Sequence, residues 1–187
     1  MDDADENDEA LMLRYQAGDA VAFEVLYQRH RGPVYRFFLR QIGDVGISEE
    51  LYQETWMRVI GARLRYRKRA RFTTWIYRIA NNLLIDHWRR VGARPGVDSL
   101  DFDSGNTPAA AQVDLNRQPE GLADDRARVA ELLKRIRQLP RNQRVAFMLH
   151  YESGMSVEQI ADATGVKRET AKSRLRYAMA TLREEIA

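Results

Sequence analysis

The chain has 187 residues, and its 30 Lys and Arg against 27 Asp and Glu leave a formal net charge of +3. It has no cysteine, which excludes a disulfide framework, thiol catalysis and Cys-ligated zinc. No apolar run is long enough to span a bilayer, and the acidic start MDDADENDE is the opposite of a signal peptide's basic start, so we expect a cytoplasmic protein without membrane insertion.

The first helices are predicted from apolar spacing that follows an acidic, frayed tail at residues 1–8. A short helix covers 10–17 and a second covers 20–31. Gly32–Pro33 is predicted to end the second helix, because proline suits the first turn of a new one, which runs to about Ile42.

The next helix is predicted to start after Ser48, whose side chain can cap its free backbone N–H groups. Its inward face carries Leu51, Thr55, Val59 and Ala62. A second face mixes acidic, amide and apolar side chains, namely Glu50, Gln53, Glu54 and Met57. That face is either solvated or docks a partner.

A strongly basic loop, RLRYRKRAR at 63–71, precedes a long helix that starts at Phe72. The helix has an apolar core side, and Tyr77, Asn81 and Trp88 lie together on its other side. Exposed aromatic rings beside a cationic loop suit unstacked bases, because rings stack on bases while cations follow the backbone. The alternative is that Trp75, Tyr77 and Trp88 are ordinary, partly buried aromatics.

Residues 92–123 are rich in Pro, Gly, Asp and Ser and have little periodicity, so they are predicted to form a linker. Helices are predicted over Asp124–Gln138, with Leu132 and Ile136 inward, and over 141–151. No segment shows strand alternation. The prediction is therefore an all-α fold of two small helical domains joined by a flexible linker, the second containing a helix-turn-helix.

The helix-turn-helix is predicted over Ser156–Leu182. Ser156 and Gln159 form a capping box, and Gly165 is the turn residue. The second helix has one apolar stripe, comprising Ala171, Leu175, Ala178, Leu182 and Ile186, and a basic stripe of Arg168, Lys172 and Arg176 roughly opposite. This pattern is typical of a helix that enters the DNA major groove, although a helical hairpin with a solvated charged face is the alternative.

Nothing in the sequence predicts a catalytic residue, a cofactor or a metal site. There is no phosphate-binding Gly-rich loop and no GxSxG, and His30, His87 and His150 lack the spacing of metal ligands. We therefore expect a protein that is not an enzyme.

Four stretches, in this order, resemble the extracytoplasmic-function (ECF) group of bacterial sigma factors, the small two-domain members of the sigma-70 family. They are SEELYQETWMRV, FTTWIYRIANNLLIDHWRR, LPRNQRVAFMLHYESGMSVEQIADATGV and ETAKSRLRYAMATLRE. In the family the first stretch binds core RNA polymerase, and the second melts and reads the −10 element. The third forms the start of the C-terminal domain, and the fourth reads the −35 element. The resemblance implies a transcription initiation factor that performs no chemistry itself.

The resemblance also implies a division of labour between a region 2-like domain at 9–91 and a region 4-like domain at 124–187. The first would dock on the β′ clamp helices through Glu50, Gln53, Glu54 and Met57, and the β flap would be a further contact of the factor. The linker would thread toward the polymerase's active-site and RNA-exit channels.

The implied DNA contacts form two sets. The non-template strand of the −10 element, with a flipped base, would be held by Tyr66, Arg67, Trp75, Tyr77, Arg78, Asn82 and Trp88. The −35 element would be read by Arg168, Lys172, Ser173, Arg174, Arg176 and Tyr177. Between Tyr66 and Phe72 the chain has RKRAR where the family usually has a Gly and an acidic residue, which implies a different base pocket and stronger phosphate contact.

Members of the group are commonly held inactive by an anti-sigma factor, which is therefore an expected partner. A kinase is the alternative regulator, since a phosphate on Thr55 would add negative charge beside Glu54. Two other functions compete with the sigma-factor reading. One is a stand-alone helix-turn-helix repressor or activator whose first domain binds a ligand or dimerises, and the other is an enzyme with a helical nucleic-acid-binding appendage.

Overall fold

The computed structural model describes residues 6–92 and 123–184, and every regular element in these ranges is helical. The helices are α1 Asp8–Gln16, α2 Ala20–Ile42, α3 Val45–Gly61, α4 Phe72–Arg90, α5 Ala123–Gln138, α6 Arg141–Tyr151, α7 Val157–Thr164 and α8 Arg168–Glu184, with a 3₁₀ turn at Arg63–Arg65. The predicted all-α fold is confirmed. The predicted linker lies outside the described residues except for its two ends.

One continuous helix, α2, replaces the break that we predicted at Gly32–Pro33. Leu26, Val34 and Phe37 are all buried along this helix. Their packing outweighs the backbone hydrogen bond that Pro33 removes, so tertiary contacts override the local preference. The predicted break is wrong for that reason.

Helix α3 begins about one turn earlier than predicted. The Asp44 side chain is its cap and accepts the backbone N–H of Ile47 at 2.9 Å. Ser48 lies inside the helix, fully buried, and its hydroxyl donates to the Asp44 carbonyl at 2.5 Å. The prediction of Ser48 as the cap is wrong, because aspartate is an equally good cap and precedes it.

Helices α1 to α4 surround the core of the first domain. Its fully buried side chains include Leu11 of α1, Phe38 of α2, and Ile76 and Leu84 of α4. The predicted inward residues Leu51, Thr55 and Val59 are buried as well. The packing leaves the opposite side of α3 and the loop before α4 at the surface.

The helix-turn-helix forms as predicted. Ser156 and Gln159 make both bonds of the capping box, and Gly165 ends α7 in the left-handed conformation, with φ of 69°. Four residues of the predicted apolar stripe of α8 are buried, namely Ala171, Leu175, Ala178 and Leu182, whereas Ile186 lies outside the described residues. In α5 Ile136 is buried as predicted, but Leu132 is 39% exposed, so its inward placement is wrong.

The two domains pack directly on each other, with α7 against α4 and α6 against α2. The centre of this contact is Arg144 of α6, which is 9% exposed. Its guanidinium donates to the side-chain and main-chain oxygens of Gln41, both at 3.1 Å, and to the carbonyl of Arg137 at 2.5 Å. Nearby, Arg40 of α2 forms an ion pair with Glu152.

Candidate nucleic-acid and polymerase interfaces

A cavity of about 680 Å³ lies between the basic loop and the start of α4. Four cations line it, Arg65, Arg67, Arg69 and Arg78, together with the rings of Tyr66 and Trp75. Cations and aromatic rings in one cleft are the combination that binds single-stranded nucleic acid, since each base offers a face for stacking and each phosphate a charge.

Tyr66 and Thr74 also line this cavity, but Tyr66 is only 3% exposed, and the hydroxyls of both residues are buried without a hydrogen-bond partner among the described residues. The Tyr66 ring meets the Trp75 ring edge-on, with centroids 5.1 Å apart. Burial, with the nearby negative charges of Glu9 and Asp8, raises the pKa of Tyr66 to about 12. Tyr66 is therefore a neutral phenol at physiological pH.

The predicted −10 residues divide into two groups. Arg67, Arg78 and Asn82 are exposed, and Trp75 is half-buried at the cavity. Tyr77 and Trp88 are only 2% and 6% exposed, so in this arrangement their prediction as exposed rings is wrong and the alternative of buried aromatics holds for these two.

The second domain and the core of the first account for this burial. The Tyr77 ring packs edge-on against Phe37 at 5.4 Å, and the Arg141 guanidinium lies 5.1 Å from the centre of the Trp88 ring. Burial raises the pKa of Tyr77 to about 12, with a contribution from the charge of Glu152. Helical periodicity identified the face of α4 but not the domain that covers it.

The outer face of α8 is open to solvent at its basic stripe. Lys172, Arg176 and Tyr177 are exposed, and the Arg176 guanidinium lies 5.0 Å from the centre of the Tyr177 ring. Ser173 and Arg174 are half-buried. These side chains occupy about two turns of a helix with the width of the major groove.

Arg168, at the start of α8, is engaged by acidic neighbours. Its guanidinium contacts Glu158 at 2.5 Å and Glu169 at 2.9 Å. The hydrogen bond from Arg168 lowers the pKa of Glu158 to about 2, and Glu158 in turn raises the pKa of Arg168. Arg168 would have to leave these exposed pairs to contact DNA, unlike Lys172 and Arg176.

The predicted docking face of α3 is exposed at all four residues, Glu50, Gln53, Glu54 and Met57. Met57 is 63% exposed, and Ile60, one turn further along, is 41% exposed. Glu54 pairs with Arg58 at 2.9 Å within the same helix. Ile60 was not among the predicted docking residues, although its i+3 spacing from Met57 places it on the same side of the helix.

The burial of Thr55 contradicts the hypothesis that this residue is phosphorylated. This residue has no exposed surface, and its hydroxyl donates to the Leu51 carbonyl at 2.8 Å. A kinase has no access to it in this fold.

The described residues contain neither a candidate metal site nor a membrane-spanning helix. No group of three or more His, Asp or Glu side chains in them is placed to hold a metal ion. None of the described helices is both long and apolar enough to cross a membrane.

Two family models match the chain, and they follow the order of the two domains. The model for Sigma-70 region 2 matches residues 26–94, and the model for Sigma-70, region 4 matches residues 130–182. Together they cover more than half of the chain.

The chain is similar to named sigma factors over about nine tenths of its length. The chain is 32% identical over 173 residues to the ECF RNA polymerase sigma factor SigL of Mycobacterium tuberculosis, covering 89% of this chain and 90% of that one. It is also 28% identical to the RNA polymerase sigma-H factor of Pseudomonas aeruginosa, covering 91% of this chain and 89% of that one.

Two solved structures share the fold. CnrH, in complex with the cytosolic domain of CnrY, superposes with a TM-score of 0.67 at 19% identity and 97% coverage of both chains. The sigma factor RpoE of Bartonella quintana, in complex with the anti-sigma factor NepR, gives a TM-score of 0.63 at 22% identity, covering 87% of this chain and 94% of that one. From its two matched regions and its full-length relatives, the chain belongs to the ECF group of the sigma-70 family, transcription initiation factors that bind RNA polymerase and recognise promoters.

Proposed function

We propose that the cavity beside the basic loop holds a flipped base of the −10 non-template strand. The observation that carries this proposal is a cleft lined by four exposed arginines together with Tyr66 and the half-buried Trp75 ring. The Trp75 ring would supply stacking, and the arginines would contact the flanking phosphates. The segment 67–71, RKRAR, lies where the family usually has a Gly and an acidic residue, so phosphate contact would be stronger here.

The −35 element is the proposed ligand of α8. Its exposed residues Lys172, Arg176 and Tyr177 would contact base edges or phosphates in the major groove, with Ser173 and Arg174 beside them. Arg168 would join only after leaving Glu158 and Glu169.

Core RNA polymerase would dock on the exposed face of α3. Along this face two exposed carboxylates, Glu50 and Glu54, are followed by the exposed apolar side chains of Met57 and Ile60. Protein interfaces commonly combine apolar and charged surface in this way. The β′ clamp helices would bind there, and the factor would act in the cytoplasm with the polymerase.

The described arrangement is a closed form, and the factor would open before it binds DNA. Asp162 of α7 lines the base cavity, and the second domain covers Trp88. A carboxylate at this position would repel an entering phosphate. Separation of the domains would remove Asp162 from the cavity and expose the far end of α4.

An anti-sigma factor is the proposed regulator. Two proteins with this fold have been solved in complexes, CnrH with the cytosolic domain of CnrY and the sigma factor RpoE with the anti-sigma factor NepR. The partner of this chain would bind the exposed face of α3 or stabilise the closed form. Either mode would keep the factor from polymerase or promoter.

Trp75→Ala tests the base cavity. Loss of one stacked base is expected to weaken binding of a −10 non-template oligonucleotide to the holoenzyme by about 1–3 kcal/mol. Fluorescence anisotropy would measure the affinity, with the oligonucleotide taken from a mapped promoter. Tyr151→Ala, which removes an exposed ring in the second domain, is the control. Equal affinity of both variants and the wild type would remove Trp75 from the site.

A further inference from the structure

The basic loop before α4 has few internal hydrogen bonds to hold it in place. Between the end of the 3₁₀ turn and Phe72, the backbone makes a bond from Tyr66 to Arg63 at 3.3 Å and one from Arg69 to Arg67 at 2.7 Å. Five of the seven residues from 65 to 71 are cationic, and like charges repel one another. The shape of this loop therefore depends on ties to other parts of the molecule.

One tie is Gln16, at the end of α1. Its side-chain amide nitrogen lies 3.1 Å from the carbonyl oxygens of Arg63 and Leu64 and 3.3 Å from that of Tyr66. A single amide group thus contacts three carbonyls within four residues, at the position where the chain reaches the cavity. Beside it, the Arg63 guanidinium lies 5.1 Å from the centre of the Tyr15 ring.

The other tie is Glu9, two turns earlier in the same helix. Its carboxylate accepts the backbone N–H of Phe72 at 2.6 Å. Helix α4 has no side-chain cap of its own at Arg71, so Glu9 takes that role from 63 residues away. A carboxylate there also meets the positive end of the helix dipole. The Phe72 ring, held in this way, lies 5.8 Å from the Trp75 ring.

We propose that α1 is a brace for the base cavity, and that Glu9 and Gln16 are its positioning residues. This inference rests on the proposed function of the cavity as the site of a flipped −10 base. Seven residues of helix, about 10 Å, separate the two ties, so one rigid element fixes both ends of the loop. The brace keeps Tyr66, Trp75 and the arginines in their binding positions before DNA arrives, which lowers the entropic cost of binding.

The first test compares Gln16→Met with Gln28→Met in the full-length protein. Methionine nearly preserves the shape of glutamine and removes the donor, and Gln28 is an exposed glutamine on α2. Limited trypsin digestion reads the order of the loop directly, because trypsin cuts after its Arg and Lys residues. We expect cleavage within 65–71 to become several-fold faster in Gln16→Met, with cleavage after Arg58 and Arg183 unchanged.

The second readout is DNA binding by the holoenzyme. Gln16→Met is expected to weaken binding of the −10 oligonucleotide by about three- to tenfold, the range for one net hydrogen bond. Binding of the −35 duplex should be unchanged. Glu9→Met should behave in the same way, whereas Glu9→Gln, which keeps an oxygen acceptor for the Phe72 N–H, should retain most of the affinity.

The results separate the brace from the site that it serves. Cleavage and affinity equal to those of Gln28→Met would overturn the brace, and so would faster cleavage without any loss of affinity. If the wild-type holoenzyme failed to bind the −10 strand, the proposed function of the cavity would be wrong. The digestion would then still decide whether α1 holds the loop.

Discussion

The side chains at the two proposed DNA sites differ in exposure and in pairing. Around the base cavity the four arginines are exposed, whereas the hydroxyls of Tyr66 and Thr74 are buried. On α8, Arg176 and Lys172 are exposed, while Arg168 is paired with two carboxylates. The side chains most accessible to DNA are therefore the cavity arginines and the middle of α8.

Arg176→Ala tests the −35 assignment. A good base contact contributes about 1–3 kcal/mol to discrimination, so the variant should lose that much affinity for the cognate upstream duplex. Competition binding with cognate and scrambled duplexes would measure it. The control is Arg183→Ala, which removes an equal charge from the last turn of the same helix. A loss that is equal for both duplexes would show that Arg176 contacts phosphate rather than a base.

Residue types alone predicted the exposed part of these sites. Glu50, Gln53, Glu54, Met57, Lys172 and Arg176 are exposed as their helical spacing indicated. The sequence did not predict Gln16, Asp162 or Arg144, since each acts on a segment far away along the chain. Local periodicity does not indicate which helices pack against each other in the fold.

At the scale of elements, helices with consistent local signals were predicted best. Helix α4 has the predicted bounds, Phe72–Arg90, and α6 has the predicted Arg141–Tyr151. The break at Gly32–Pro33 and the cap at Ser48 failed because packing and a second capping residue competed with the local signal.

Helix α1 is joined to α2 by an acid-sensitive contact. Asp8 lies 2.8 Å from the Arg29 guanidinium and 2.7 Å from the His30 ring. Burial alone would raise the pKa of Asp8, but the hydrogen bonds from His30 and Arg29 hold it below its ordinary value of 3.8. A carboxyl with a lowered folded-state pKa stabilises the fold above its unfolded pKa, and that contribution is lost as the pH falls through the folded pKa.

Asp8→Asn is therefore expected to lower the unfolding temperature at neutral pH, and the difference from the wild type should shrink below about pH 4. Circular dichroism melts across this range would measure it. Asp86→Asn, at an exposed carboxylate of α4, is the control. A difference that stays constant with pH would show that the charge of Asp8 does not contribute.

At the scale of the whole molecule, a buried cation joins the two domains. Burial, with the charges of Arg141 and Arg137, lowers the pKa of Arg144 to about 10, so the guanidinium is charged at neutral pH. Its recorded hydrogen bonds go to oxygens of Gln41 and Arg137, and none of these is a carboxylate. A buried charge held by neutral acceptors is a contact that one substitution can strengthen or break.

Gln41→Glu and Arg144→Met are expected to act in opposite directions. The first gives Arg144 a carboxylate and should favour the closed form, whereas the second removes the charge and should favour separation. Because the chain has no cysteine, dyes on cysteines placed at exposed Glu24 and Lys134 can report the distance by energy transfer. Binding of the −10 strand should fall in the first variant and rise in the second. Equal energy transfer in both variants would show that this contact does not control closure.

The most direct test of the central claim is transcription in vitro. The purified protein and sigma-free core RNA polymerase would be given a pool of genomic promoter fragments, and the start sites mapped. We expect new starts that share two boxes at a fixed spacing, lost in Glu54→Arg and kept in Glu24→Arg, an equal charge change at an exposed position on α2. No initiation, together with tight sequence-specific duplex binding by the protein alone, would contradict the account and favour a stand-alone repressor.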